Sequence, residues 1–257
     1  MKKAIFITVR TGSSRLPNKC LLKINGKSTI EYLIDRMKRS KKADIIVLCT
    51  TELKEDDILC EIANKNSISF YRGSAEDKLM RWYEATKIFD VEFFVTGDGD
   101  DIFYDPELVD LAFDQYEKNQ PDFIEGKDII CGSFTYAIKT SALKKVCEIK
   151  DTEDTEMMWV YFTTTGLFKT EELKNVPAVF KRPEIRMTMD YQDDFKFFKI
   201  IIEHFSSEKN EKFTLRDIID FLDKNPKIVK INQYLQEKYL KNQKMKTKLV
   251  LKSEVTR

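Results

Sequence analysis

Short apolar runs alternate with amphipathic helical segments through the first part of the chain, and this alternation constrains the fold more than any other feature. The runs are nearly continuous and rich in β-branched residues, which is typical of strands buried on both faces of a parallel sheet. Strands are predicted at residues 4–9, 44–49, 68–71 and 92–96, and helices at residues 28–40, 55–65 and 77–89. The order predicts an α/β fold with a doubly wound, mostly parallel sheet, whose ligands bind at the carboxyl ends of the strands.

The pattern changes after residue 120. Strand-like segments are predicted at residues 128–136, 159–162 and 185–189, and helices at residues 140–147, 193–205 and 215–222. From Tyr239 onward the chain is rich in Lys and poor in apolar residues, so this part is expected to pack loosely. We therefore expect one α/β domain with a helical C-terminal extension over residues 1–235 and a Lys-rich tail over residues 236–257.

The charges are nearly balanced, with 44 Lys and Arg against 43 Asp and Glu. A net charge of +1 gives no support to a partner recognised by bulk charge, so neither nucleic acid nor a membrane surface is expected. No apolar stretch resembles a bilayer span or a secretory signal, and a cytoplasmic location is expected.

The cysteines and the histidine do not point to a metal centre. Five cysteines without a C-x-x-C pair are expected to be reduced thiols in the core. The single histidine, His204, lies in a helical apolar run without a thiol nearby, so we interpret it as structural and expect no zinc. The chain is long enough to bury a sizeable core without disulfides.

The polar loop after the first strand carries the clearest chemical signal. Arg10, Arg15 and Lys19 place three cations around a stretch that contains Gly12 and Ser13. Such a loop can direct backbone N–H groups at phosphate, and its cations would stabilise the charge that builds up as pyrophosphate departs. Neither the Walker A pattern nor the Rossmann glycine pattern is present. The spacing alone fits a basic surface turn equally well.

The residues of this loop are more specific than their spacing. Residues 10–19, followed by Asn-Gly-Lys at 25–27, resemble the signature of the cytidylyltransferase family, which includes the synthetases of CMP-linked 3-deoxy-octulosonate and of CMP-linked sialic acids. The sequence is most similar to the branch named after spore coat polysaccharide biosynthesis protein F. The resemblance continues at residues 72–77, 96–98, 188–194 and 231–232, so it covers nearly the whole chain.

The resemblance implies an α/β nucleotide-binding domain that forms a homodimer. It assigns triphosphate-binding positions to the loop, namely Arg10, Ser13, Arg15 and Lys19, with Gly12 between them. Among these, Arg15 and Lys19 are expected to be catalytic, because they would stabilise the charge on the phosphates during transfer.

The resemblance also places the segment with Arg72, Ser74 and Asp77 near the nucleotide base. The alternative for this segment is a turn in which Ser74 caps the following helix and the arginines are exposed. For Arg81 the two interpretations are balanced. An acceptor-side role for residues 125–128, Ser133 and Tyr136 rests on their position in the chain alone.

Two aspartates, Asp98 and Asp190, are predicted to hold one magnesium ion. The residues alone favour an Asx turn at Asp98 and a helix N-cap at Asp190. The resemblance implies instead that both ligate Mg²⁺, which takes one or two protein carboxylates together with phosphate oxygens and waters. The turn after Asp98 is longer and more acidic than in close relatives, so Asp100 and Asp101 either join the metal site or face solvent.

These features together predict a magnesium-dependent enzyme that transfers CMP from CTP to a small acceptor and releases pyrophosphate. The expected acceptor is an acidic sugar, with a phosphorylated or phosphonate acceptor as the alternative. A metal-dependent glycosyltransferase is a second alternative, because Asp98-Gly99-Asp100 fits an Asp-x-Asp motif. A nucleotide-binding protein without catalysis is a third, and the presence of Arg15 and Lys19 argues against it.

Overall fold

A seven-stranded sheet runs through the computed structural model, which describes residues 1–209 and 212–253. The strands of the chain are β1 (Lys2–Thr8), β2 (Lys23–Ile24), β3 (Lys27–Ser28), β4 (Ile45–Thr51), β5 (Ser69–Gly73), β6 (Val91–Asp98), β7 (Phe123–Glu125), β8 (Tyr136–Lys139) and β9 (Thr170–Glu172). The large sheet has the order β5-β4-β1-β6-β8-β7-β9, and β2 pairs with β3 alone. Strands β5, β4, β1 and β6 are parallel, whereas β8 is antiparallel to both of its neighbours.

Helices cover both faces of this sheet. They are α1 (Thr29–Met37), α2 (Asp57–Lys65), α3 (Lys78–Phe89), α4 (Pro106–Asn119), α5 (Thr140–Ile149), α6 (Val160–Thr163), α7 (Gln192–Ser207), α8 (Leu215–Lys224), α9 (Pro226–Val229) and α10 (Leu235–Lys246). In β1, Ile5 and Ile7 pack into one core with α1, α4 and α7, whereas Ala4 and Phe6 pack into a second core with α3 and α5. The predicted doubly wound, mostly parallel α/β fold is confirmed.

The capping box predicted at the start of α1 is confirmed, whereas the cap of α3 is Asp77 and not Ser74. Ser28 and Glu31 form the capping box of α1, and the Asp77 carboxylate accepts a hydrogen bond from the Met80 N–H at the start of α3. Such caps satisfy backbone N–H groups that have no partner inside the helix, so a few neighbouring residues are enough to encode them.

Three strand predictions in the second half are wrong. Of residues 128–136 only Tyr136 belongs to a strand, residues 159–162 lie at a helical turn, and residues 185–189 make only an isolated bridge to Cys131. The adjacent side chains of Tyr161 and Phe162 are both buried, which a helical turn permits and an alternating strand does not. Residues 185–189 are also buried in succession. In these segments, an apolar run correctly indicated that the residues are buried, but it did not indicate that they form a strand.

In the described part of the C-terminal tail, every side chain from Tyr239 onward is at least partly exposed, as loose packing requires, but the segment includes helix α10 and makes specific contacts. Helix α10 places the ring of Tyr239 against the guanidinium of Arg186, 4.7 Å from the ring centre. Further on, the Asp151 N–H donates to the Val250 carbonyl at 2.9 Å, and the Lys252 N–H donates to the Ile149 carbonyl at 2.9 Å. The Lys-rich composition gave no sign of the contact between Tyr239 and Arg186 or of the backbone hydrogen bonds of Val250 and Lys252. The division at residues 235 and 236 stays a prediction.

None of the helices in residues 1–209 and 212–253 is long and apolar enough to cross a bilayer.

Candidate active site

A cleft of about 780 Å³ opens at the carboxyl ends of β1 and β6, the edge where the fold predicts a ligand site. Its size lies within the range of small-molecule and cofactor sites. It is lined by residues from almost the entire length of the chain, from Thr8 to Lys246.

The loop after β1 lies at this cleft, as the sequence predicted. Hydrogen bonds to a residue outside the cleft lining hold its conformation. The backbone N–H and the hydroxyl of Thr11 both donate to the same carboxylate oxygen of Asp56, each at 2.7 Å. Burial opposes the ionisation of Asp56, but the hydrogen bonds from Thr51 and Thr11 outweigh it and lower its pKa. Arg10, Gly12, Ser13, Arg15 and Lys19 all line the cleft.

Lys19 joins two carboxylates at the floor of the cleft. Its ammonium lies 2.5 Å from Asp100 and 3.0 Å from Asp190. Burial disfavours the charged amine, yet these two carboxylates outweigh that effect and raise the pKa of Lys19 above its ordinary value. Lys19 is therefore a fixed positive charge at this point.

Asp190 contacts three cations. Arg15 donates to Asp190 at 2.5 Å, Lys19 lies at 3.0 Å, and Arg186 approaches the other carboxylate oxygen at 3.1 Å. Burial alone would raise the pKa of Asp190, but Lys19 and Arg15 lower it below the ordinary value. This carboxylate is held ionised where the sequence predicted a metal ligand.

The acidic turn after β6 crowds several carboxylates together. Burial raises the pKa of Asp101 well above its ordinary value, and the neighbouring Asp100 and Asp98 raise it further. Burial also raises the pKa of Asp100, although Lys19 counteracts this. This turn passes close to Val9, directly after β1, and it can do so only because residue 99 is glycine. A Cβ at that position would lie 2.6 Å from a methyl carbon of Val9.

The structure pairs Asp190 with Asp100, through Lys19, while Asp98 forms its ion pair with Lys78 at 3.7 Å. In the described part of the chain, no three His, Cys, Asp or Glu side chains are grouped so that they could hold a metal by themselves. One or two carboxylates with phosphate oxygens and waters are enough for Mg²⁺, and the crowded carboxylates supply the hard oxygen donors that it prefers. The donor chemistry therefore fits magnesium, and a shared site of Asp98 and Asp190 stays a prediction.

A buried network holds Asp190 from behind. Arg186 donates to Asp194 at 2.9 Å, and the Asn232 amide donates to the same Asp194 oxygen at 2.9 Å. The other Asp194 oxygen accepts the backbone N–H of Asp190 at 2.9 Å. Sequence reasoning assigned Asp194 to the first turn of α7 and missed Arg186, whose signal was a lone cation within the apolar run at 185–189.

The segment after β5 contributes to the cleft with different residues from those predicted. Arg72 forms an ion pair with Asp57 at 2.6 Å and donates to the Thr51 carbonyl at 3.0 Å. Ser74 accepts the Asp77 N–H at 3.0 Å in the turn before α3, so it stabilises that turn, while the cap of α3 is Asp77. These two side chains are outside the cleft lining, whereas Lys78 and Arg81 are part of it.

Asp77 is also outside the cleft lining. Its carboxylate caps α3 and forms a buried ion pair with Lys150 at 2.5 Å. The Thr155 hydroxyl donates to it at 3.1 Å, so Asp77 anchors the acidic loop after α5. A base-binding role for Arg72, Ser74 and Asp77 stays a prediction, because all three side chains lie outside the cleft lining.

The cleft has two walls of different chemistry. The cationic wall consists of the lining residues of segments 10–19 and 75–81, with Lys246 at its rim. The uncharged wall consists of the lining residues of segments 126–136, 157–159 and 236–243. Tyr136 belongs to the uncharged wall, as the acceptor-side prediction requires, whereas Ser133 is fully buried and donates to the Ile130 carbonyl. Tyr239 also belongs to it, and the Lys-rich composition gave no signal for that residue.

Comparison with known proteins agrees with this arrangement. A model of the cytidylyltransferase family matches residues 4–245. An uncharacterized protein of Methanocaldococcus jannaschii is 37% identical over 240 residues, which are 93% of this chain and 97% of that protein. The spore coat polysaccharide biosynthesis protein SpsF of Bacillus subtilis is 25% identical, over 86% of this chain and 93% of its own length.

A solved structure extends the comparison to three dimensions. A cytidylyltransferase from Leptospira borgpetersenii serovar Hardjo-bovis has a TM-score of 0.80 to this chain at 30% identity, and the match covers 89% of this chain and 97% of that one. The family model, the fold and the position of the signature loop at the sheet edge all agree. The chain belongs to the cytidylyltransferase family.

Proposed function

We propose that this chain transfers CMP from CTP to a small acceptor and releases pyrophosphate, in a reaction that requires Mg²⁺. The observation that carries the proposal is the position of Lys19, which lies between Asp100 and Asp190 in the same cleft as Arg10 and Arg15. Cations and carboxylates that meet at one sheet edge suit a triphosphate and its metal. Family membership supports CTP as the nucleotide, and similarity to a 3-deoxy-manno-octulosonate cytidylyltransferase over 42% of the chain supports an acidic sugar as the acceptor.

The proposed chemistry is an in-line displacement at the α-phosphorus. An acceptor oxygen forms the new O–P bond, the bond to the oxygen that bridges to the β-phosphorus breaks, and pyrophosphate leaves with that oxygen. The proton of the acceptor hydroxyl passes to solvent. Arg10, Arg15 and Lys19 would bind the triphosphate and stabilise the charge on the departing pyrophosphate, so the protein acts by positioning and electrostatics.

Asp98 and Asp190 would hold the magnesium ion. Asp100 lies nearby, because Lys19 forms ion pairs with both Asp100 and Asp190. When bound, the ion would neutralise part of the phosphate charge and orient the phosphate oxygens. Arg186 and Asp194 would keep Asp190 in place, because they contact its carboxylate and its backbone N–H respectively.

A glycosyltransferase that uses a nucleotide-sugar donor is the second candidate. The observation in its favour is that Asp98 and Asp100, separated by Gly99, both line the cleft. The two reactions differ in their products, because only nucleotidyl transfer releases pyrophosphate from a nucleoside triphosphate.

The test is pyrophosphate release with each of the four nucleoside triphosphates and Mg²⁺, across acidic sugars and phosphorylated acceptors. We expect release with CTP and greater thermal stabilisation by CTP than by ATP, GTP or UTP. Equal or greater stabilisation by a purine nucleotide would show that the CTP assignment is wrong. Transfer from a nucleotide sugar without pyrophosphate would favour the glycosyltransferase.

Family likeness also leads us to propose a homodimer in the cytoplasm. Sedimentation equilibrium tests the dimer, and a monomer at micromolar concentration would contradict it.

A further inference from the structure

Charge is distributed unevenly along the chain, although its sum is close to zero. Residues 224–252 contain nine lysines and one glutamate, whereas residues 1–223 contain 34 basic and 41 acidic residues. The balanced total, which gave no support to a membrane partner, averages over two parts of opposite sign. Because attraction between exposed charges reaches only about 10 Å at ordinary salt, a partner meets the local charge of one part and not the sum.

Helix α10 lies within the basic part and has two opposite faces. The side chains that line the cleft recur at intervals of three and four residues, which is one face of a helix. They are Gln236, Tyr239, Gln243 and Lys246. A series with the same spacing is exposed on the other side, beginning at the N-cap, and consists of Tyr234, Lys238, Lys241 and Met245. We call this series, with the adjacent exposed Lys244, the outer face of α10.

The cations of the outer face are not neutralised by the protein. Lys241 and Lys244 form no ion pair and no side-chain hydrogen bond with any residue that the structure describes. Lys238 lies over the ring of Tyr191, 4.7 Å from its centre, and an aromatic ring leaves the charge of the ammonium in place. The positive charge of the outer face is therefore available to an anionic partner.

Exposed apolar side chains are concentrated in the same part of the chain. Among the described residues ten large apolar side chains are exposed, and five of them lie between residues 234 and 250. They are Tyr234, Leu240, Met245, Leu249 and Val250. Tyr234 and Met245, at 64% and 63% exposure, flank the lysines of the outer face. Lysines interspersed with apolar side chains are typical of surfaces that bind anionic lipid, since apolar groups enter the headgroup region while ammonium groups meet lipid phosphates.

We propose that the outer face of α10 attaches the protein to the surface of a bilayer that contains anionic lipids. Lipid phosphates would neutralise Lys238, Lys241 and Lys244, and the headgroup region would cover Tyr234 and Met245. The net negative charge of residues 1–223 is repelled by the same surface, so the protein approaches it in one orientation. In that orientation the cleft side of α10 faces water. The attachment does not depend on which reaction the cleft catalyses.

The test is cosedimentation of the full chain with lipid vesicles. At about 0.1 M salt we expect binding to phosphatidylcholine vesicles that contain about 30% phosphatidylglycerol, and none to phosphatidylcholine alone. Salt near 0.5 M should release the bound protein, because it screens exposed charges. Absence of binding to the anionic vesicles, or equal binding to the neutral ones, overturns the proposal. Release by duplex DNA added at the same phosphate concentration would show that the partner is a nucleic acid instead.

Paired charge variants connect the attachment to the outer face. Lys241→Gln combined with Lys244→Gln should weaken vesicle binding about 20-fold, since each lysine near an anionic surface contributes about fivefold. The matched control combines Lys54→Gln with Lys118→Gln, which removes two other exposed lysines that form no ion pair with the described residues. It should bind as the parent does. Equal weakening in both proteins would overturn the assignment to α10.

Two single variants test the sign of the charge and the role of the apolar side chains. Glu237 is the one acidic residue in the basic part and is exposed, so Glu237→Gln should tighten vesicle binding about fivefold, whereas Glu61→Gln on α2 should not. Met245→Gln should weaken binding several-fold, whereas Ile88→Gln, which replaces an equally exposed side chain on α3, should not. No gain from Glu237→Gln, or an equal loss at Ile88, would contradict a lipid-binding outer face.

Discussion

The two walls of the cleft differ in how they are built and in what they can recognise. The cationic wall comes mainly from one loop after β1, with anchoring contacts from Thr11 to Asp56. The uncharged wall brings together three segments that lie far apart in sequence and that contribute rings and amides. Charged groups that bind phosphate must lie close together on a rigid loop, whereas a neutral surface can be assembled from distant pieces. The first arrangement leaves a motif in the sequence, and the second does not.

The largest effect on activity is expected from removing the charge of Lys19 in the cationic wall. Lys19→Ala removes the charge that would stabilise departing pyrophosphate and leaves Asp100 and Asp190 without their shared cation. We expect kcat for pyrophosphate release to fall about 10²–10³-fold. Lys23→Ala, which removes an exposed lysine from β2, is the matched control and should retain activity. A Lys19→Ala enzyme with near-normal turnover would contradict the triphosphate assignment.

The next effect tests whether the carboxylates between the walls act as one site. Asp98→Asn and Asp190→Asn should each lower activity on the order of 10–100-fold and raise the Mg²⁺ concentration needed for half-maximal rate. The double variant should be little worse than the more affected single variant, because losing either ligand disables the same ion. Fully additive losses would separate the two residues and remove the shared metal. Asp190→Asn should also lower the melting temperature, since Arg15, Lys19 and Arg186 lose a buried partner.

A smaller effect concerns Asp101, the most perturbed carboxyl between the walls. Because burial raises its pKa in the folded chain, the folded state binds a proton more strongly than the unfolded state does. The contribution of Asp101 to stability should therefore be fully present below the ordinary pKa of an aspartate and should be lost as the pH rises through the folded pKa. Asp101→Asn removes this loss, so it should raise the melting temperature at pH 7–8 by about 2–4 °C, the shift that about 1 kcal/mol gives in a chain of this size.

Measuring both proteins from pH 4 to pH 8 checks this prediction. The advantage of the variant should shrink toward pH 4, where Asp101 is protonated in the parent protein as well. A variant that is less stable than the parent at pH 8 would show that the ionised carboxylate is stabilising.

The smallest effect lies at the rim of the cationic wall. Glu156 lies 3.8 Å from Arg10 and 3.7 Å from Lys246, and all three side chains are about half exposed. Glu156→Gln frees both cations for phosphate, so CTP affinity should increase a few-fold at low salt. The gain should vanish near 0.5 M salt, because exposed charges are screened there. Isothermal titration at two salt concentrations measures it, and a gain that survives high salt would point to a different cause.

Sequence reasoning reached the features that neighbouring residues encode. The capping box of Ser28 and Glu31 and the placement of the loop from Arg10 to Lys19 depend on local spacing, and both were predicted correctly. The pairing of Arg15 with Asp190 joins residues 175 positions apart, so only the family resemblance suggested that they share a site.

The misses have a common physical origin. Tyr239 lies in a segment whose average composition is polar, and Asp77 caps a helix while also pairing with Lys150, 73 residues away. A single partly buried aromatic side chain or one long-range ion pair changes composition very little, although it decides where a segment packs. The acidic turn shows the same limit, because its length was visible in the sequence but the choice of Asp100 as the partner of Lys19 was not.

The two walls also emerge from the ribosome at different times. The cationic wall is complete in sequence by Arg81 except for Lys246, whereas the uncharged wall requires Tyr239 and Gln243 of α10. At ordinary synthesis rates the interval between Arg81 and Lys246 is roughly 10–30 s. Under the proposed function, a growing chain exposes phosphate-binding groups throughout that interval and cannot position an acceptor. Under the proposed function, a complete cleft would therefore require α10 as well as the loop after β1.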